Sequence, residues 1–373
     1  MKLVTQNLID LVGLSGEIAN STLAEIIKNS EASSNVPRQL LHRLVKDTKL
    51  LIKHPSNLEH GVDATYTFTK RGREATGYDS PHYIYEAAYG TRQHKILSAD
   101  LLSIFYTSSL PEIALEDGLY NGAVGWCRLQ NIRKIEKGDS KDTFRNNQAI
   151  GIAFLPKQIL ILYCIRPQMR FSDSAENGIP IEVRRLIEYG ELKSRYTLND
   201  LYAVFYFLDT ATYLDWLMPT RTGGAKSIKQ YIKNQYQRGH AIVIRKDEPQ
   251  TKLLLRDIIE YENLLPELNH NMTNWLDRTQ FVSGILSEGM SQDAVIVINS
   301  FADPVVINRL FSDIVKYRKK NGHAVEKSIY MMTLDFNKTV IRAVGERRYP
   351  TNKPYFKVMG IDYAEWRESV VNT

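Results

Sequence analysis

A chain of 373 residues with 43% hydrophobic and 24% charged side chains can bury a substantial core, and its length suggests two or three domains. It contains no apolar run of about 18 residues, which excludes a bilayer-spanning segment. Two cysteines, Cys127 and Cys164, are too few for a disulfide framework or a four-cysteine zinc site, so a reducing cytoplasm is expected.

The first 80 residues read as a series of short elements. Leu8, Ile9, Leu11 and Val12 place one apolar face on a helix over 5–13, and Gly13 to Gly16 break it. Asn7 and Asp10 interrupt this stretch, so it reads as a first helix and not as a signal peptide. Ser21 or Thr22 is expected to cap a second helix, with Glu25 at capping-box distance from Thr22. Val36-Pro37 opens a third helix running to about Lys49, because proline lacks the amide that would be unpaired in a first turn anyway. Its apolar positions Leu40, Leu41, Leu44 and Val45 leave Arg38, Gln39, His42, Arg43 and Lys46 to project elsewhere. Strands over 50–52 and 64–68 follow, separated by a polar loop over 55–63 that would form a wing, and then Lys70-Arg71-Gly72-Arg73.

Charge is concentrated in this region. Residues 35–73 hold eight basic and three acidic side chains, while the whole chain carries only +6. Phosphate neutralisation supplies most non-specific DNA affinity, so a local excess on a three-helix, two-strand module is the expected footprint of a winged helix that grips double-stranded DNA. The expected contacts are Arg38, Gln39, His42, Arg43, Lys46, Lys49, Lys53, Lys70, Arg71 and Arg73. The competing readings are a winged helix used for protein contacts and a solvated helical hairpin.

Further along, Ile96, Leu97, Leu101, Leu102 and Phe105 recur at helical intervals in a connecting segment over 81–120. Two apolar strands then flank a tight turn at Pro156-Lys157. Helices are expected over 180–188, 225–236, 250–264, 271–287 and 304–320, and strands over 201–208, 240–245, 293–298, 327–334 and 338–344. This alternation argues for an α/β or α+β domain over 121–373, with polar surface loops at 136–142 and 172–178. No 20–50-residue period and no low-complexity tract is evident.

The motif Tyr66-Thr67-Phe68-Thr69-Lys70-Arg71-Gly72, followed by a helix around His94, resembles the opening of the replication-relaxation proteins of plasmids and conjugative elements. The apolar hairpin from Ala149 to Tyr163 and the run Thr333-Leu334-Asp335-Phe336-Asn337 are similar to mid-chain and late segments of that family's Gram-positive mobile-element members. The resemblance implies a winged helix joined to a larger mixed-sheet domain similar to a degenerate restriction-endonuclease fold, acting in plasmid replication or conjugative processing of DNA. It supplies no active site, because the acidic-then-Glu-x-Lys pattern of active nucleases has no clean match; Asp335-Phe336-Asn337-Lys338 comes nearest and lacks the spacing.

A complete catalytic set is not found. The eight histidines include no His-x-His pair, and none is followed by arginine three residues later, which argues against a histidine-rich relaxase and a tyrosine recombinase. Thr222-Gly223-Gly224-Ala225-Lys226-Ser227 lacks the glycines of a phosphate loop and reads as a turn before a helix. The acidic groups Glu112, Glu116, Asp117, Asp293, Asp303, Asp313 and Asp335 make a two-metal site conceivable, although Asp303-Pro304 reads as a helix cap. A second basic cluster, Arg342, Arg347, Arg348, Lys353 and Lys357 after Arg318-Lys319-Lys320, is interleaved with Tyr349, Tyr355 and Phe356 and is an auxiliary DNA contact or an ordinary charged surface.

The expected function is sequence-specific binding of double-stranded DNA in replication, transfer or regulation of a mobile element. The expected partners are that DNA, a second copy of the chain, and replication or transfer proteins, with no membrane, metal or cofactor. The rival classes are a metal-dependent nicking or relaxing enzyme working through the C-terminal domain, and a transcriptional regulator with an oligomerisation domain.

Overall fold

In the computed structural model, Leu8, Leu11 and Val12 bury one face of helix α1 (Lys2–Ser15), which ends where Gly16 turns into the left-handed region at φ +77°. The structure describes residues 2–29, 36–56, 63–77, 89–113, 123–128, 149–165, 187, 192, 194–217, 240–265, 294–323, 328–348, 350 and 356–371. The chain divides into two compact units, Met1–Glu112 and Ile113–Thr373, both of mixed helix and sheet.

In the first unit, α1 is followed by β1 (Ile18–Ala19), α2 (Asn20–Asn29), α3 (Val36–His42) with a π-type turn at Arg43–Asp47, β2 (Leu51–His54), β3 (Thr65–Phe68), α4 (Lys70–Thr76) and α5 (Tyr89–Tyr106). The strands form an antiparallel sheet in the order β1-β3-β2, with Leu51 opposite Phe68 and Ile18 opposite Tyr66. The packed connecting helix expected from Ile96, Leu97, Leu101, Leu102 and Phe105 is α5, which lies on α1, α2 and β1 with these side chains buried.

The start of α2 corrects the expected cap. β1 leads directly into the helix, so Thr22 lies inside the first turn, and its hydroxyl donates to buried Asp100 at 2.7 Å. The exposed amide of Ser21 donates instead to the Asp63 carboxylate at 2.8 Å, from 42 residues along the chain.

Glu17 is fully buried between α1 and β1. It accepts hydrogen bonds from Arg92 of α5 at 2.7 and 3.3 Å and from Thr65 of β3 at 2.5 Å. A buried charge is tolerated only when paired and fully hydrogen-bonded, so this carboxylate fixes α5 to the sheet.

The second unit contains β4 (Gly125–Arg128), β5 (Ala149–Phe154), β6 (Ile159–Ile165), β7 (Leu201–Phe207), α6 (Thr210–Leu217), β8 (His240–Arg245), α7 (Pro249–Glu260), β9 (Ala294–Ile298), α8 (Pro304–Asn321), β10 (Ser328–Leu334), α9 (Lys338–Arg348), β11 (Phe356–Ile361) and α10 (Tyr363–Val371). A five-stranded sheet runs β4-β5-β6-β7-β8, antiparallel on the β4 side and parallel from β6 to β8. The expected hairpin is its β5-β6 pair, closed by the Leu155 amide donating to the Gln158 carbonyl. A second, three-stranded sheet is parallel throughout in the order β9-β10-β11.

The two sheets share one core. Ile161, Phe205 and Val243 of the first join Met331 and Val358 of the second in a single cluster, together with Tyr213 and Trp216 of α6. Among the described residues, the outer edge of β8 is covered by the segment after β9. Val243 donates its amide to the Phe301 carbonyl, and Ala241 donates to the Asp303 carboxylate.

The expected strand over 338–344 is instead helix α9. Val340, Ile341, Val344 and Gly345 are its buried positions, a helical spacing, and Gly345 is required because a Cβ there would lie 2.4 Å from the Phe356 ring. The expected helices at 225–236 and 271–287, nearly all of that at 180–188, the polar loops at 136–142 and 172–178, and the wing residues 57–62 lie outside the described residues. Among the described residues, no helix is long and apolar enough to cross a membrane. Cys127 and Cys164 are both buried and are not joined in a disulfide.

Candidate nucleic-acid interface

Leu40 and Leu44 hold α3 and its π-type turn against the first unit's core, and this orientation leaves Gln39, His42, Arg43 and Lys46 exposed as one stripe. The backbone of Arg38 is the third residue of α3, while its side chain is outside the described residues. Thr48 donates its amide to the Arg43 carbonyl at 2.9 Å, five residues back, and Leu50 donates to Leu44 at 2.9 Å. Such wide turns inside helices occur disproportionately at functional sites. Between these two bonds Lys49 sits at φ +54°, a conformation that costs a side chain with a Cβ about 1–2 kcal/mol.

Thr69 links this helix end to the following cationic segment. Its amide donates to the Leu50 carbonyl at 3.0 Å and its hydroxyl to the Lys49 carbonyl at 2.6 Å, while the same oxygen accepts the Gly72 amide at 2.9 Å as the N-cap of α4. Gly72 is needed because a Cβ would lie 2.1 Å from the Leu50 carbonyl oxygen. The latch therefore sets exposed Lys70 and Arg71 beside exposed Lys49, although about twenty residues separate them. Lys70 lies 3.9 Å from Glu74 in a solvent-exposed pair, and Arg73 is half-buried. Lys53 is exposed on edge strand β2 beside Ile52, which is 47% exposed.

Behind this surface, His54 of β2 is buried and shares a 2.8 Å hydrogen bond with Thr67 of β3. Burial pushes its imidazole below the ordinary histidine range; the negative charge of Glu17 opposes this and Arg92 adds to it. Thr69 stands out in the sequence only within the Tyr66–Gly72 motif, and Glu17 and Arg92 do not stand out in it. Thr69-Lys70-Arg71-Gly72 carries the threonine of a helix start, whereas Glu17 follows Ser15-Gly16 and has no local signal of burial.

The second basic cluster is divided. Arg342 and Arg347 are exposed on α9, and Lys357 is exposed on β11 with its ammonium 5.4 Å from the Tyr330 ring centre. Arg348 is half-buried, donates to Asn308 at 2.6 Å and lies 5.9 Å over Phe311. Phe356, expected among the base-stacking aromatics, instead packs 5.7 Å from Phe311 and against Gly345 in the core. Lys353, Tyr349 and Tyr355 lie outside the described residues.

The carboxylates considered for a nuclease site are engaged separately. Glu112 accepts from Tyr106, Asp335 accepts the Tyr363 amide, and Asp303 is buried as the N-cap of α8, where it receives the Val305 and Ala241 amides. Burial raises Asp303 to about 6, against the lowering effect of its backbone donors. Glu116, Asp117, Asp293, the side chain of Asp313 and the glycine turn at Thr222–Ser227 lie outside the described residues. Among the described residues, no group of three or more histidine, cysteine or acidic side chains is placed to hold a metal ion.

Two other buried polar groups serve to join elements. Asp257 of α7 accepts two bonds from Arg367 at 2.5 and 2.9 Å and one from Tyr363 at 2.8 Å, securing α10; burial and this carboxylate push the Tyr363 hydroxyl up. Arg245 of β8 donates to Asn337 and to the Phe336 carbonyl, both at 3.0 Å, and burial lowers its guanidinium from the ordinary range. No protein-family model, curated protein or solved structure matches the chain.

Proposed function

We propose that the first unit is a winged helix that recognises double-stranded DNA, with α3 and its π-type turn in the major groove and Lys49, Lys53, Lys70, Arg71 and Arg73 on flanking phosphates. The observation that carries this reading is the latch at Thr69. It joins the exposed stripe Gln39, His42, Arg43 and Lys46 to the α4 cations in one surface, supported from behind by packed side chains. The element order, and a β1-β3-β2 sheet whose two longer strands follow the basic helix, support the winged-helix assignment. The chain would act in the cytoplasm as a DNA-addressing protein of a mobile element, of the replication-relaxation type that its motifs resemble. It would bring the second unit, and through it a second copy of the chain or replication and transfer proteins, to a defined site. For that second unit the resemblance implies a degenerate restriction-endonuclease-like fold, and its mixed sheet is the support for this.

The test is selection of bound fragments from a library of random duplexes by the full chain, repeated with Gln39→Ala and Arg43→Ala. An enriched motif is expected, and each variant should relax it at one or two positions, because a good base contact carries about 1–3 kcal/mol of discrimination. Recovery of the same motif by both variants would remove α3 from the reading role, and no enrichment by the unaltered chain would remove sequence specificity altogether.

A further inference from the structure

The parallel sheet of the second unit returns two helices to the same end. Helix α8 leaves the carboxyl end of β9 and brings Arg318, Lys319 and Lys320, its last basic residues, to the amino end of β10. Helix α9 leaves the carboxyl end of β10 and brings Arg347 and Arg348 to the amino end of β11, where Lys357 is the second residue. Phe356 fixes this assembly, since it pairs with Ile329, lies 5.7 Å from Phe311 of α8 and fills the space at Gly345 of α9. Five cations, Arg318, Lys319, Lys320, Arg347 and Lys357, therefore share one end of the sheet and all are exposed, while half-buried Arg348 turns back to donate to Asn308 in the first half of α8. Glu346 is the acidic neighbour on α9.

Cations in a last helical turn complement the helix dipole, which alone would explain one or two of them. Yet α6, α7 and α10 of the same unit carry no basic residue in their last turns. The cationic endings belong to the two helices that the β9-α8-β10-α9-β11 path brings to a common edge. Lys357 beside Tyr330 adds a cation backed by an aromatic ring there.

We propose that this end of the sheet is a second nucleic-acid contact, holding the phosphate backbone of duplex DNA without reading its bases. It rests on the reading of the chain as a DNA-binding protein and assigns the second unit a direct part in that binding. A polyanionic backbone suits exposed lysines and arginines presented by helix ends and a strand start, because affinity there comes from counterion release and needs no fixed pairing geometry.

The experiment uses the full chain and a duplex of about three helical turns, with binding followed by anisotropy at salt concentrations from about 50 to 200 mM. One variant carries Arg318→Ala, Lys319→Ala and Lys320→Ala; the other carries Arg43→Ala, Lys46→Ala and Lys49→Ala. Removing one phosphate-binding cation lowers the slope of log affinity against log salt by about 0.9, so each triple variant is expected to drop by up to about 2.7, and the two reductions should add. Tryptophan fluorescence monitors folding of the second unit, where all four tryptophans lie; if the triple variant misfolds, Lys357→Ala replaces it, with an expected reduction of about 0.9. A wild-type slope in the α8 variant beside a lowered slope in the Arg43, Lys46 and Lys49 variant overturns this inference and leaves the winged-helix reading in place. The reverse pattern overturns the winged-helix reading alone. If polyglutamate displaces the duplex from wild type as well as competing DNA does, charge for charge, the surface is one for acidic protein and the nucleic-acid assignment fails.

Discussion

Asp303 provides the sharpest test of the physical account of the second unit. It is fully enclosed, caps α8 through the Val305 amide at 2.7 Å, and accepts the Ala241 amide of β8 at 2.9 Å. Two effects oppose one another. Burial disfavours the carboxylate, while the backbone donors and the helix end favour it; burial is the larger, and the group moves from 3.8 to about 6. Below about pH 3.8 both folded and unfolded chains hold the proton, so folding carries no penalty. As pH rises toward 6 the unfolded chain ionises first, and the penalty grows until it is complete above the folded value. The two-unit difference corresponds to about 3 kcal/mol. Asp303→Asn removes ionisation but offers a single acceptor to two donors. It is expected to be about 1–3 kcal/mol less stable than wild type near pH 4, from one unmade buried hydrogen bond. Near pH 7.5 the gap should narrow by about 2.5 kcal/mol, since about 0.5 kcal/mol of the penalty is already present at pH 4, to nothing or to a small advantage for the variant. Urea unfolding followed by tryptophan fluorescence reads this out, since Trp126, Trp216, Trp275 and Trp366 all belong to the second unit. A gap that stays constant or widens with pH would refute the reasoning, because the capping donors would then outweigh burial.

Two further outcomes concern the first unit. Gly72→Ala is expected to cost about 2–3 kcal/mol, since the new Cβ would lie 2.1 Å from the Leu50 oxygen and 3.1 Å from Phe68, and to weaken duplex binding by breaking the latch at Thr69; wild-type thermal stability and affinity together would show that the close approach relaxes freely. Lys49→Gly should relieve the left-handed strain and raise stability by about 0.5–1 kcal/mol, while lowering the salt slope of duplex binding by about 0.9; slower amide exchange in β2 and β3 measures the gain, and faster exchange contradicts it.

What could be read from the sequence was what depends on near neighbours. The apolar runs of β6 and β7 are buried at every position, so they needed no partner to be recognised, and Asp303-Pro304 marks the start of α8 by the chemistry of two adjacent residues. The exposed stripe on α3 was legible because period and charge coincide within ten residues. The strand expected over 338–344 failed because Val340-Ile341 favours a strand locally, whereas the deciding facts are the later pair Val344-Gly345 and the space Phe356 occupies. The capping of Ser21 by Asp63, the Glu17–Arg92 pair and the Thr69 latch each join residues 19 or more positions apart, beyond any local pattern. Helices α4, α6 and α10 and strands β4 and β11 are short, and their apolar positions are too few to fix a period.

The same long-range geometry explains why the basic residues are more informative in three dimensions than in the sequence. Lys49 and Lys70 are linked through a threonine hydroxyl, and Lys320, Arg347 and Lys357 are brought to one end of a parallel sheet by two crossovers. Cations at helix ends are inexpensive individually, because the terminal carbonyls favour them. Lys49 is the exception. It occupies a backbone conformation that glycine would adopt without strain, and its side chain is exposed, so no buried contact of that side chain offsets the cost. A stability loss of this size, retained at the junction of the exposed stripe with the α4 cations, is what a phosphate contact would account for. It is also why the opposite signs expected for Lys49→Gly, more stable but less salt-sensitive in binding, separate a functional cation from a merely tolerated one.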